Sequence, residues 1–158
     1  MRSKQLFLFL ALAVLAIVGC GLTRRLECVN GRGCSCLGSD CDLFCPAGTS
    51  CDLKCSSGAI CGNIHCTDAP CGVDCSGGSA CQAIGCSGSA SCAVTCSGNS
   101  TCNINCADAA NCQAVRCTGG SPCLLRCTGS AQCRFQECSG GSGQMSCSGN
   151  VVVCNRPC

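Results

Sequence analysis

From Cys41 onward, apolar positions alternate with polar ones over about five residues, and a polar, glycine-rich stretch of similar length follows. In Cys71-Gly72-Val73-Asp74-Cys75 the apolar residues stand at every second position. The same holds in Cys92-Ala93-Val94-Thr95-Cys96, in Cys102-Asn103-Ile104-Asn105-Cys106 and in Cys123-Leu124-Leu125-Arg126-Cys127. A period of two puts Cys, aliphatic and Cys on one face of a β-strand. Four units, running from Cys61 to Cys66, Cys81 to Cys86, Cys112 to Cys117 and Cys133 to Cys138, hold one extra residue, which predicts a bulge. After the second Cys, most units read Ser-Gly, Thr-Gly or Thr-Asp. Glycine supplies a positive φ, and the hydroxyl bonds back to the backbone, so each unit ends in a corner.

The unit C-x-φ-x-C-[ST]-[GD]-x-x-x, with φ usually aliphatic, recurs eleven times between Cys41 and Cys147 with a period of ten or eleven. A lone short strand is unstable in water, and short repeats gain stability by stacking. The expected fold is therefore all-β: a small right- or left-handed β-solenoid of 10–11-residue coils, each strand paired with the next, stapled by disulfides. Eleven coils stacked ~4.8 Å apart predict a rod about 50 Å long. Its interior would hold cysteine and one aliphatic column, Leu43, Leu53, Ile64, Val73, Ile84, Val94, Ile104, Val115, Leu125, Phe135 and Met145. That column is a core stripe and not a cofactor site. Either end is irregular. Residues 28–40 read as an N-terminal cap, because terminal repeats of a solenoid are atypical. Residues 148–158 read as a C-terminal cap, with three consecutive valines and a Pro157 suited to an edge. Gly143 stands where the last regular unit expects its first Cys.

Composition changes the energetics. The chain of 158 residues has 27 cysteines, no Trp, no Tyr and four Phe. Large side chains cannot build its interior, and cysteine at this density marks a disulfide scaffold in an oxidising compartment. Cysteines four apart in a straight strand are roughly 13 Å apart, whereas a bridge needs Cα atoms about 4.4–6.8 Å apart. Pairing within a strand is thus excluded unless the coil bends sharply. Pairing across the corner fits and closes the count. It gives Cys28–Cys34 and Cys36–Cys41, then Cys75–Cys81, Cys86–Cys92, Cys96–Cys102, Cys106–Cys112, Cys117–Cys123 and Cys127–Cys133 among the repeats, and ends with Cys138–Cys147 and Cys154–Cys158. Bonding one column between adjacent coils also satisfies the spacing. We take the corner scheme as the expectation.

Residues 1–19 read as a signal peptide: a basic start with Arg2 and Lys4, then a thirteen-residue apolar run from Leu6 to Val18, too short for a comfortable membrane span. The run ends Ile17-Val18-Gly19-Cys20. This resembles the lipobox of bacterial lipoproteins: an aliphatic residue, a small or aliphatic residue, a small residue, then an obligatory Cys. The resemblance implies that Cys20 becomes the mature N-terminus and carries lipid, with residues 20–27 as a tether. It also implies a membrane partner and a place in the cell envelope, facing the periplasm or the exterior. The alternative is an ordinary secretory signal cut near Gly19, with Cys20 a disulfide partner. Parity favours lipid, since 27 − 1 = 26 cysteines make thirteen bridges with none left over. Repeated Cys-Ser-Gly units behind such a signal also resemble Cys-rich surface lipoproteins of myxobacterial type, a likeness that implies localisation and no activity.

Charge and chemistry exclude more than they assign. Without Arg2 and Lys4 the chain has eight basic and eight acidic residues. No basic patch with aromatic platforms points to nucleic acid. From Asp40 to Asp108 the charges are acidic but for Lys54, and from Arg116 to Arg156 they are basic but for Glu137, which reads as solvated charge. Enzyme catalysis is not expected: the single histidine, His65, stands beside Cys66 and Asp68, but Cys66 fits the disulfide lattice. Asp42 and Asp52 occupy equivalent places in consecutive units, a thin set for a cation. No cofactor or metal is expected. The expected role is that of an exported, lipid-anchored structural or surface-interaction protein. One alternative is metal sequestration, although only Cys34-Ser35-Cys36 has the dense spacing of thiolate clusters. The other is ice binding, since the repeat resembles in general design the disulfide-stapled β-helix antifreeze proteins of beetles. Their flat Thr-x-Thr array is missing here, and the column Ser56, Thr67, Ser76, Ser87, Ser97, Thr118, Thr128, Ser139 and Ser148 is explained by corner formation. Alkylation of the native protein followed by mass spectrometry separates scaffold from store. Almost no labelled cysteine is expected; a chain that labels at most of its cysteines and carries bound metal would be a store.

Overall fold

The computed structural model describes residues 24–28 and 33–158; the leader, Cys20 and the lipobox lie outside these. The described residues form strands and no helix. In chain order the strands are β1 Arg24–Glu27, β2 Cys34–Cys36, β3 Cys41–Cys45, β4 Cys51–Cys55, β5 Ile60–Thr67, β6 Pro70–Cys75 and β7 Ala80–Ser87. They continue with β8 Ser91–Cys96, β9 Thr101–Cys106, β10 Asn111–Cys117, β11 Cys123–Cys127, β12 Gln132–Cys138, β13 Gln144–Cys147 and β14 Val151–Cys154.

These strands build a β-solenoid, but its coil is twice the length expected. Each strand up to β10 pairs with the next but one. The odd strands, joined by β14, form one sheet in the order β1-β3-β5-β7-β9-β11-β14-β13, and the even strands β2 to β12 form the other, β12-β10-β8-β6-β4-β2. The pairings are parallel except where β14 meets β11 and β13. Geometry explains the correction. Neighbouring parallel strands need a crossover of roughly a dozen residues or more, and a five-residue corner is too short. Here the crossover from β3 to its partner β5 is residues 46–59, which contain all of β4. Cys41 lies beside Cys61 and Cys81 beside Cys102, so one coil is 61 − 41 = 20 or 102 − 81 = 21 residues. Six parallel strands per sheet at ~4.8 Å spacing span about 25 Å, half the length predicted from ten-residue coils.

The aliphatic column accordingly splits into two that face each other. Leu43, Ile64, Ile84, Ile104 and Leu125 stand in register on the odd sheet. Leu53, Val73, Val94, Val115 and Phe135 stand in register on the even sheet. All ten are buried, flanked by buried cysteines except at the C-terminal end, where Cys127, Cys133 and Cys138 are half-buried. The odd sheet supplies mostly Leu and Ile and the even sheet mostly Val, so larger side chains meet smaller ones. Met145 is the exception at 47% exposure, because β13 runs antiparallel at the sheet edge and offers no inner face to a next coil.

Register shifts mark the longer units: in β5 against β3, in β7 against β9, and in β10 against both β8 and β12. β5 and β7 carry the extra residue at the same place and pair without a shift. In β12 it lies after the aliphatic rather than before, so Val115 meets Phe135 and Arg116 meets Glu137 with Gln136 unmatched.

Both ends depart from the expected boundaries. The tether assigned to 20–27 is in part the first strand: β1 pairs with β3, setting Leu26 beside Leu43. The assigned N-terminal cap contains β2, whose Cys34 takes the aliphatic place beside Leu53. At the other end β14 folds back against β11 and closes the odd sheet. Ile84→Ala is expected to cost about 2–5 kcal/mol in chemical denaturation under oxidising conditions. Met145→Ala at the exposed edge should stay within about 0.5 kcal/mol.

Candidate functional site

Sulfur dominates the chemistry of the interior. Eleven bridges join neighbouring cysteines across corners, Cys28–Cys34 through Cys127–Cys133, with Cα separations of 5.7 to 6.5 Å. Within the repeats they include Cys75–Cys81, Cys86–Cys92, Cys96–Cys102, Cys106–Cys112, Cys117–Cys123 and Cys127–Cys133. Each runs from the end of a strand in one sheet to the start of a strand in the other, so every staple ties the two sheets together. The last two pairs differ from the corner expectation: Cys138 bonds Cys154 and Cys147 bonds Cys158. The reason lies in the C-terminal hairpin. Cys154 stands beside Cys123, as Cys102 does on the other side. It thus fills the seat that Gly143 leaves empty, reached from an antiparallel strand. Asn155 locks this arrangement. Its Nδ2 donates to the carbonyls of Ser139 and Ser121 at 3.0 and 3.3 Å, and its Oδ1 accepts from Gly143 N at 3.3 Å.

The two corners of a coil are not alike, a difference the ten-residue pattern conceals and a comparison at twenty-one reveals. Corners leaving β4, β6, β8 and β10 of the even sheet carry two successive left-handed residues, as at Gly77 and Gly78 or Gly98 and Asn99. Inside them sit small buried residues, Ala59 in the corner after β4 and serines in the next three, Ser79, Ser100 and Ser121. Ser79 Oγ donates to Cys55 O at 2.9 Å, and Ser100 Oγ donates to Ser97 O at 2.7 Å while accepting from Ser79 N at 3.1 Å. Corners leaving the odd sheet carry one left-handed residue each, in the strict order Gly48, Asp68, Gly88, Asp108, Gly129. Their buried residues are Ala69, Ala90 and Ala110. The Asp/Gly alternation is steric as well as conformational. Asp68 Oδ1 accepts from Ser89 N at 2.8 Å, and Asp108 Oδ2 accepts from Gly88 N at 3.1 Å. A Cβ on Gly88 would fall inside the Asp68 carboxylate.

The outer faces carry mixed side chains. On the odd sheet the register column runs Phe44, His65, Gly85, Asn105, Arg126. Arg25 lies over the Phe44 ring at 4.2 Å, and His65 tilts against it at 4.7 Å. His65 therefore packs outside while Cys66 points inward, bonded to Cys71. On the even sheet the column runs Lys54, Asp74, Thr95, Arg116, Glu137. Lys54 and Asp74 approach to 3.8 Å as an exposed pair, worth at most about 1 kcal/mol. A shallow groove there is lined by Gly33, Asp52, Lys54, Gly72, Asp74 and Thr95. Asp42 and Asp52 fall on opposite sheets and cannot share a cation, because residues ten apart lie half a coil from each other. Asp42 Oδ1 instead accepts from Asn63 N at 2.8 Å and Nδ2 at 3.0 Å.

These features define the class as a two-sheet β-solenoid with a disulfide at each corner. Compared with known proteins, the chain matches no family model, no curated protein and no solved structure. Replacing Gly88 tests the corner ladder. Gly88→Ala is expected to lose more than the roughly 1–2 kcal/mol of a left-handed alanine. In an Asp68→Ala background the same change should cost measurably less, because the steric overlap is gone; equal losses in both would refute the ladder.

Proposed function

We propose that this chain is exported and held at a membrane of the cell envelope by lipid on Cys20, with the solenoid as a rigid body for contacts at that surface. Cysteine arithmetic carries the reading. Thirteen bridges take up 2 × 13 = 26 of 27 cysteines, all within the described residues, and the remaining one is the Cys20 that follows Ile17-Val18-Gly19. So many bridges suit an oxidising, extracytoplasmic compartment. The strand β1 starts at Arg24, four residues after Cys20. Four residues reach at most about 14 Å, so a lipid there sets the first coil directly against the bilayer instead of on a long leash.

The outer faces suit contact more than catalysis. Both present short rows of mixed polar, charged and small side chains on a backbone fixed by bridges, which provides pre-organised surface. Their columns lack the repeated hydroxyl spacing that an ice lattice requires, and the cysteines of the described residues are bonded to one another, not held as thiolates for metal.

Expression in a bacterium with lipoprotein processing tests the anchor. The mature protein is expected in the detergent phase of a Triton X-114 partition, with an intact mass that starts at Cys20 and includes acyl chains. Cys20→Ser should move it to the aqueous phase or leave the leader uncleaved. A wild-type protein that is aqueous, unacylated and cleaved elsewhere would overturn the reading.

A further inference from the structure

Sulfurs of successive coils lie within exchange range of one another. Cys55, Cys61 and Cys81 hold their Sγ atoms all within 4.8 Å, although only the first two are bonded together. The same is true of Cys75, Cys81 and Cys102, and of Cys96, Cys102 and Cys123. At the opposite corner the Sγ atoms of Cys66, Cys86 and Cys92, and of Cys86, Cys106 and Cys112, lie equally close, and there the last two of each set are the bonded pair. All of these cysteines are buried, so the bridges stack into two dry columns. Register accounts for the closeness. Cys61, Cys81, Cys102 and Cys123 are direct neighbours on adjacent parallel strands. Strands ~4.8 Å apart place such Cα atoms inside the range that a bridge tolerates. Cysteines of this row thus have a bonded partner across the corner and a second one in the next coil.

We propose that the interior is a thiol–disulfide exchange array, in which a thiol released at one corner attacks the bridge of the neighbouring coil and the vacancy passes along the column. A small dithiol that opens one bridge supplies the first thiol; it is oxidised to its own disulfide as the bridge is reduced to two thiols. In the exchange step Cys61, as thiolate, attacks Cys81 Sγ. The Cys75–Cys81 bond breaks and its electron pair leaves on Cys75, which takes up the proton that Cys61 lost. A Cys61–Cys81 bond replaces the old one, and the number of bridges is unchanged. Cys75 is in turn within 4.8 Å of Cys102, so the next attack opens the Cys96–Cys102 bridge. The solenoid therefore redistributes a broken staple, and a bond formed between coils during oxidation is corrected inside the stack.

Cys55→Ser tests this, since it leaves Cys61 as the odd thiol. The oxidised variant is quenched in acid, labelled with N-ethylmaleimide and mapped by proteolysis and mass spectrometry. The label is expected to be shared among Cys61, Cys75, Cys96 and Cys117, with a Cys61–Cys81 peptide pair present. Label confined to Cys61, with Cys75–Cys81 intact, overturns the proposal. Cys28→Ser is the control: its partner Cys34 belongs to neither column and should keep the label, and label spread equally from both variants would mean unguided scrambling and also overturn it. Should Cys55→Ser not fold, a brief pulse of substoichiometric dithiothreitol on the native protein gives the same reading. Partly reduced molecules should contain Cys61–Cys81 or Cys66–Cys86, and a population whose surviving bridges are all native ones would contradict the array.

Discussion

A covalent staple at each corner takes the place of the interior this chain cannot build. There is no Trp or Tyr, and each inner strand face offers one aliphatic between two cysteines. Backbone ladders and sulfur bonds act in different directions. Parallel pairing holds one coil to the next along the axis, while the bridges hold the two sheets together across it. A bridge closing a loop of about seven residues contributes roughly 2 kcal/mol in the chain-entropy model. Since a whole domain is stable by only about 5–15 kcal/mol, a handful of bridges decides between folded and unfolded.

The same staples let the coil be thin. Two sheets meet with one row of Leu or Ile against one row that is mostly Val, flanked by columns of sulfur. A corner this tight forces left-handed residues, and the chain meets that demand differently at its two sides: paired Gly or Asn over buried serine on one, alternating Gly and Asp over buried alanine on the other. The Asp68 carboxylate rests where Gly88 has no side chain, so successive coils interlock at their corners as well as through their ladders. Such a body presents outer faces whose backbone is tied at the corners by bridges.

Strands, bulges, corners and the inner aliphatic positions were legible because they follow from local periodicity. Partner choice was not, because a five-residue return reads equally well as a coil closing on itself or as a turn into a second sheet; only the length demanded of a parallel crossover separates them. That one ambiguity explains two further differences. Asp42 and Asp52 were placed side by side and lie on opposite faces, and the rod came out twice too long. The corner bridges through Cys127–Cys133 were within reach of sequence because their geometry is local. The two C-terminal bridges were not, since they depend on β14 returning antiparallel to seat Cys154 beside Cys123. Serine burial at Ser79, Ser100 and Ser121 becomes visible only at a spacing of twenty-one residues.

The most direct test of this account is complete reduction in the absence of denaturant, followed by far-ultraviolet circular dichroism and limited proteolysis. With every corner opened, the β-sheet signal should vanish and proteases should cut throughout the repeats. A reduced, alkylated chain that kept both its spectrum and its resistance would show that burial and ladders suffice, and that the bridges are not what holds the two sheets together.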